Sequence, residues 1–393
     1  MDRRQFLKAG AVAGAGAAYF GGAHLYLSDE RWTPNRSYWV ARGRAPVNPP
    51  LQGNHAVDLA VIGGGVTGLS TAIHAREIMP RLQVALLEAE YIGFGATGRS
   101  GGILANGTEM GIREGTEYNT AFAISFIDRL GIECDLDREN EELDPYKYAV
   151  GLKAAAERAG VRVYEGTRVV DIDKGNPVRL AGEGFTLQAP RVIVATNGYM
   201  PKLGVAADQI FPVHTGVAVT TPMPEEVLSG FPASLHIMTN REMYVWGRKV
   251  PGKRMLMGSG AEYYYDNGLC DTSERYVFAA LEGFMKESHP ELTDYPFEYT
   301  WTGPMGVTGD QEPVMGTEGK DGNIFYCGGY AGLGIAMGTR AGQWLAGMLE
   351  GAAPPDWLFR DTFRFPGEPL RFIGVNSAIN LMNLSLLSMK KHE

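Results

Sequence analysis

AVDLAVIGGGVTGLSTAIHAREIMPRLQVALLEAE, residues 56–90, changes its periodicity twice. Val57, Leu59, Val61 and Ile62 make an apolar run of strand length. Leu69, Ala72, Ile73 and Ala75 then fall on one helical face, and Val84, Leu86 and Leu87 make a second strand. Such a strand–helix–strand unit needs a parallel sheet. Between the first strand and the helix stands Gly63-Gly64-Gly65-Val66-Thr67-Gly68. A Gly-x-Gly-x-x-Gly pattern alone is a weak signal. Here Glu88 follows Gly68 by 20 residues, at the end of the next strand. That is where a carboxylate takes the ribose hydroxyls of an adenine dinucleotide, while the pyrophosphate sits on the N–H groups and dipole of the helix start. The plainer reading, a glycine-rich turn without a ligand, gives Glu88 no role.

The alternation continues outward. DPYKYAVGLKAAAERAGVRVYEGTRVVDI, residues 144–172, is a helix with Asp144 as cap, Pro145 in its first position and Gly160 at its end, followed by strands. FTLQAPRVIVATNGY at 185–199 gives a strand ending at Gly198, and GNIFYCGGYAGLGIAMGTRAGQWLAGMLEG at 322–351 is a strand, a glycine turn and a helix. TGVAVTT, EMYVWG and KRMLMGSGAEYYY, between residues 215 and 265, are strand-like segments separated by Pro/Gly turns. The expected fold class is α/β: a Rossmann-like domain on a parallel sheet (56–102, 145–200 and 312–350) with a second, antiparallel-sheet substrate domain (103–144 and 201–311). Residues 31–55, rich in Pro, Arg and Asn, read as an extended linker.

The first 30 residues carry Arg3, Arg4 and Lys8, then an uncharged small-residue stretch from Ala9 to Leu27, then acids. That is the layout of an export signal, and Arg-Arg-Gln-Phe-Leu-Lys resembles a twin-arginine signal. Cleavage after Ala23 or retention as an inner-membrane anchor are both open. A net charge of −9, with no basic run beyond residue 8, argues against a nucleic-acid partner. Cys134, Cys270 and Cys327 show no Cys-x-x-Cys spacing, so neither a disulfide framework nor a metal site is implied. In the tail, 351–393, Phe372, Val375, Ile379, Met382, Leu386 and Met389 form one apolar helix face suited to its own domain, a membrane surface or a partner subunit.

LLEAEYIGFGATGRSGG, residues 86–102, gathers Gly93, Gly95, Gly98, Gly101 and Gly102, as if something approaches the backbone closely. In this position GATGRSGG resembles the second flavin-contact loop of the D-amino acid oxidase superfamily of FAD enzymes (the glycine oxidase and sarcosine oxidase kind). The likeness continues through ATNGYMP at 195–201 and GGYAGLGIAMG at 328–338, over most of residues 37–370. SYWVARG, PPLQG, GIECDL at 131–136 and WTGPMGVTGDQEPVMG at 301–316 look most like the gamma-glutamylputrescine oxidoreductase subfamily. The resemblance implies a non-covalent FAD with its pyrophosphate on Gly63, Gly65, Val66, Thr67 and Gly68 and its adenosine ribose on Glu88 and Ala89. Ala96, Thr97, Arg99, Ser100, Gly101 and Gly102 run along the ribityl chain and ring. Val169, Ala195, Thr196, Gly198, Gly303, Gly329, Gly332, Leu333, Gly334 and Ile335 complete the contacts.

Three departures bear on function. Glycine oxidase-type relatives clamp the substrate carboxylate with an arginine inside Trp-x-Gly-x-Arg-Pro. The same spacing here runs Trp301-Thr302-Gly303-Pro304-Met305-Gly306, and their second arginine falls on Gly332. An α-carboxylate therefore lacks its bidentate partners. Arg241 or Arg248 would have to substitute, each otherwise a solvated or edge-strand cation. The cysteine that tethers flavin in sarcosine oxidases has no counterpart near Gly303, and Cys327 reads as a buried core thiol. Only the 42 residues 103–144 separate Gly102 from the next helix, where relatives carry a longer insert, so the substrate domain is expected to be shortened.

The implied activity is hydride transfer from the C–N bond of an amine, polyamine-like or secondary, to flavin, with oxygen, quinone or a redox protein as acceptor. A neutral amine needs no strong general base, so the chain contributes orientation and electrostatics. Tyr244, Trp301 and Tyr330 are the candidate aromatic wall and catalytic residues, each equally readable as core packing. His214 reads as structural. The alternatives are a membrane-associated amino-acid deaminase feeding quinone and a catalytically degenerate flavin-binding subunit.

Overall fold

The computed structural model describes residues 37–232, 234–238, 244–259, 263–264, 275–367, 370–371 and 373–377. Two compact units share them: Trp39–Val213 with Pro304–Phe365, and a second built on His214–Gly303.

The first unit is a six-stranded sheet. Its strands are β1 (Leu59–Ile62), β2 (Val84–Leu87), β3 (Arg162–Tyr164), β4 (Arg191–Val194), β5 (Val314–Glu318) and β6 (Ile324–Gly328), in the order β5-β6-β4-β1-β2-β3. All neighbours are parallel except β5 and β6. β1 and β2 are buried at every position, as expected of a parallel strand covered on both faces. The helices are α1 (Val66–Ile78), α2 (Asn119–Leu130), α3 (Pro145–Arg158) and α4 (Gly334–Met348). Asp144 caps α3 through Oδ1, which accepts from Tyr146 and Lys147 N–H, and Gly160 at φ +86° follows the helix.

Helix α1 is buried from Val66 through Ala75, more than the single face its pattern suggests, because α4 lies against it. Glycines permit this contact: a Cβ on Gly342 would stand 2.5 Å from Ser70 Oγ. A four-stranded sheet of Gly53–Ala56, Phe185–Ala189, Val178–Gly182 and Val169–Asp173 completes the unit.

Two expectations are corrected. Residues 103–144 were expected beside the antiparallel sheet; they belong to the first unit, where Ala123, Phe126 and Ile127 of α2 join the core of α1 and α4. Residues 201–213 and 304–311 also fall in this unit. The expected linker is instead a docked strap over most of its length. Trp39 Nε1 donates to the Ser100 carbonyl at 2.8 Å, and Leu51 N–H donates to Thr167 Oγ1 at 2.9 Å. Asn48 N–H donates to Glu165 Oε2 at 2.7 Å, and Gly53–Ala56 pairs parallel with Phe185–Ala189. Glu165 is buried, is paired with Lys153, and also accepts Ile92 N–H at 2.7 Å. Breaking such a buried pair from one side typically costs about 3–5 kcal/mol. Proline and polarity alone do not reveal this fixation.

The second unit is antiparallel. Ser234–Met238, Tyr244–Val250 and Arg254–Ser259 pair in succession, Arg254–Ser259 pairs with Phe211–Thr220, and Phe297–Val307 joins that strand. Helix Arg275–Ser288 supplies Phe278, Leu281 and Met285 to its core. The export-signal segment and residues 378–393 of the tail lie outside the described residues; of the tail face, Val375 is buried. No described helix is long and apolar enough to cross a membrane.

Candidate functional site

A cavity of about 370 Å³ opens in the first unit along the ends of β1, β2 and β4. Its floor is the glycine turn. Gly63 sits at φ +109° with its N–H on the Leu87 carbonyl at 2.9 Å, and a Cβ there would meet the Ala195 carbonyl at 2.8 Å. Gly65 begins α1 without a side-chain cap, and Thr97 Oγ1 accepts Val66 N–H at 3.1 Å. The helix start therefore keeps N–H groups and its dipole turned to the cavity. Thr196, on the same wall, has a buried Oγ1 without a hydrogen-bond partner.

Glu88 closes one end. Its Oε2 accepts Gly64 N–H at 2.7 Å and its Oε1 accepts Glu90 N–H at 2.9 Å. Burial raises its pKa to about 7 against those two bonds, with Glu90 and Glu165 adding to the rise. An ionised carboxylate is the stronger acceptor for ribose hydroxyls, so dinucleotide affinity should climb as pH rises through 7 and fall below it. The change should approach tenfold per unit at most, and Glu88→Gln should weaken binding and flatten the profile. Fluorescence titration of apoprotein with FAD on either side of pH 7 checks this; a flat wild-type profile contradicts it.

The second glycine loop folds onto the first: Gly93 N–H reaches the Gly64 carbonyl at 3.1 Å. Arg99 braces that loop, with Nε on the Phe94 carbonyl at 2.8 Å and its guanidinium over the Phe94 ring. At the last glycine turn, Tyr330 OH lies 3.0 Å from Thr67 Oγ1 and 3.5 Å from the Cys327 carbonyl. Burial holds this phenol well above its usual pKa, so it is neutral and committed to the glycine turns. The Cys327 thiol is fully buried and pushed up to about 12 by desolvation, which makes it inert.

From the first turn, Gly63, Gly65, Val66 and Thr67 line the cavity; Glu88 and Ala89 follow from β2. Ala96, Thr97 and Ser100 line it from the second loop, Val169, Ala195, Thr196 and Gly198 from the sheet side, and Gly332, Gly334 and Ile335 from the last turn. Gly68, Arg99, Gly101, Gly102, Gly329 and Leu333 do not line it; Gly303 is in the other unit. Among the described side chains of the aromatic candidates, Tyr330 lines it; Trp301, Tyr244 and His214 belong to the second unit, Trp301 and His214 buried there. Arg248 is buried in that unit, and Arg241 and the Tyr244 side chain lie outside the described residues. Sequence reasoning missed Asn197, Tyr199, Lys202, Phe94 and Arg168 in the lining. Asn197 and Tyr199 sat inside the quoted ATNGYMP, and Arg168 beside Val169. Met305 and Gly332 come together: a Cβ on Gly332 would lie 3.3 Å from Met305 Sδ.

The family model described as FAD dependent oxidoreductase matches residues 58–140 and 136–348, and a twin-arginine translocation signal model matches residues 1–18. The chain is 27% identical to "Gamma-glutamylputrescine oxidoreductase" of Escherichia coli (strain K12), covering 84% of this chain and 93% of that one. It is 26% identical to "Probable oxidoreductase OrdL" of Rhizobium meliloti (strain 1021), over 81% and 89%. Among solved structures, glycine oxidase from Geobacillus kaustophilus superposes with a TM-score of 0.65 at 18% identity, over 81% of this chain and 98% of that one. The Escherichia coli alignment runs over 410 positions yet uses 84% of these 393 residues, about 330, so about 80 positions lack a counterpart here. The family match is itself broken at 136–140. There the chain closes in a tight turn, with Asp137 and Glu142 exchanging backbone bonds at 2.7 and 3.0 Å.

Proposed function

Because the chain belongs to the family of FAD-dependent oxidoreductases, we propose that it is an exported enzyme oxidising the C–N bond of an amine without a neighbouring carboxylate. Bound FAD would supply the two-electron chemistry, accepting a hydride from the carbon beside the nitrogen and leaving an imine for water to hydrolyse. The glycine turns and the start of α1 would take the pyrophosphate, Glu88 the ribose, and the Thr196 hydroxyl an otherwise missing partner.

One observation carries the substrate class. Met305 and Gly332, the positions matching the relatives' carboxylate-binding arginines, are neighbours on one cavity wall and bring no charge to it. A carboxylate entering an apolar site unpaired costs several kcal/mol in desolvation. The cations that line the cavity do not replace such a clamp: Arg168 donates to Glu90, and Lys202 is exposed and has only a point charge to offer. Lys202 does favour a second reading, an amino-acid deaminase whose substrate carboxylate it meets.

Met305→Arg tests the choice. It should raise the rate of flavin reduction by ornithine relative to putrescine by at least about tenfold, the worth of one charge-assisted hydrogen bond. An unchanged ratio contradicts the assignment of this wall.

A further inference from the structure

Three cavity-lining segments meet at Asn197. It follows β4 in the left-handed region, at φ +46°, and opens the short 3-10 segment Asn197–Leu203. Its Oδ1 accepts Gly329 N–H at 2.9 Å, in the last glycine turn. Two further glycines leave room for the amide. A Cβ on Gly306 would lie 2.2 Å from Oδ1, and one on Gly328 would lie 3.2 Å from it. Gly306 is bonded to the last turn through its carbonyl, which accepts Ala331 N–H at 3.0 Å. Met305 and Gly332 flank these contacts and face each other across the cavity wall.

We infer that Asn197 is a positioning residue for the flavin end of this cavity: its side-chain oxygen locks the last glycine turn against the Met305–Gly306 strand and so sets the Met305–Gly332 wall. The inference rests on the FAD-enzyme reading above. Physically, the amide oxygen replaces a backbone partner for the Gly329 N–H, which would otherwise be left unpaired in a buried turn held at φ +81°. Asn is among the few residues that combine a short side-chain acceptor with tolerance of a left-handed backbone. Ser and Thr carry their oxygen one bond nearer the backbone, and Gln carries its amide one carbon further out, so neither presents the oxygen at the same distance.

Two substitutions separate the side-chain oxygen from the backbone. Asn197→Gly suits the positive φ and removes the acceptor; Asn197→Asp keeps the acceptor. Apoprotein of each is titrated with FAD, and the visible flavin spectrum and thermal midpoint are recorded. The expected result is a midpoint lowered by a few degrees in Asn197→Gly with the protein still folded, FAD bound about tenfold more weakly with an altered band shape by Asn197→Gly, and affinity within about threefold of wild type for Asn197→Asp. Wild-type affinity and spectrum in Asn197→Gly, or an Asn197→Asp as weak as Asn197→Gly, overturns the inference. A wild type that binds no FAD overturns the reading beneath it.

Discussion

Gly68→Ala will yield protein without flavin. A Cβ at this position would lie 2.0 Å from the Gly63 carbonyl oxygen and 3.3 Å from Val61 Cγ1. The first obstacle is backbone, and Gly63 is itself pinned at φ +109° by its bond to Leu87. Relief has to come from moving the start of α1 away from β1, and that start is where the pyrophosphate would sit. Overpacking of this kind costs about 1–3 kcal/mol, a drop of roughly 2–4 °C in midpoint per kcal/mol for a unit of this size. The larger effect is on the ligand, because every N–H aimed at the cavity moves with the helix. The variant should purify folded, colourless and a few degrees less stable; a yellow variant with wild-type flavin content contradicts this account of the turn.

Replacing Arg3 and Arg4 together by lysine will keep the flavin-loaded protein in the cytoplasm. The charge is retained, so a signal that needed only a basic start would still work. A pathway that reads guanidinium groups discriminates, since the planar bidentate fork of arginine has no equivalent in an ammonium group. The measurement is the share of flavin-containing protein in the periplasmic fraction, expected to fall to background. Normal periplasmic yield from the double variant contradicts the export reading of residues 1–18.

The parallel half of the fold was legible because its pattern is local. Buried β1 and β2, the glycine turn and Glu88 lie within 30 residues, and each belongs to a unit that makes sense only as strand, helix and strand. The placement of residues 103–144 was not legible. The apolar face of α2 says that the helix covers something, and nothing in Ala123, Phe126 or Ile127 says which sheet. The strap was missed for a related reason: its anchors, Thr167, Glu165 and Ser100, are far along the chain. Tyr330 was expected as a catalytic wall. Its ring does line the cavity, while its hydroxyl is turned to Thr67, a partner 263 residues away. Met305 and Gly332 were each matched to the family separately; that they are neighbours is a property of the fold, which the sequence did not reveal.

The central claim is best tested by anaerobic mixing of purified, FAD-loaded protein with putrescine and, separately, with ornithine, following loss of the oxidised flavin absorbance. The account predicts that the amine bleaches the flavin, releasing one equivalent of aldehyde per flavin reduced. The amino acid should be slower by about a hundredfold, as several kcal/mol of uncompensated carboxylate desolvation requires. Faster bleaching by ornithine would contradict it and point to Lys202 as the carboxylate partner.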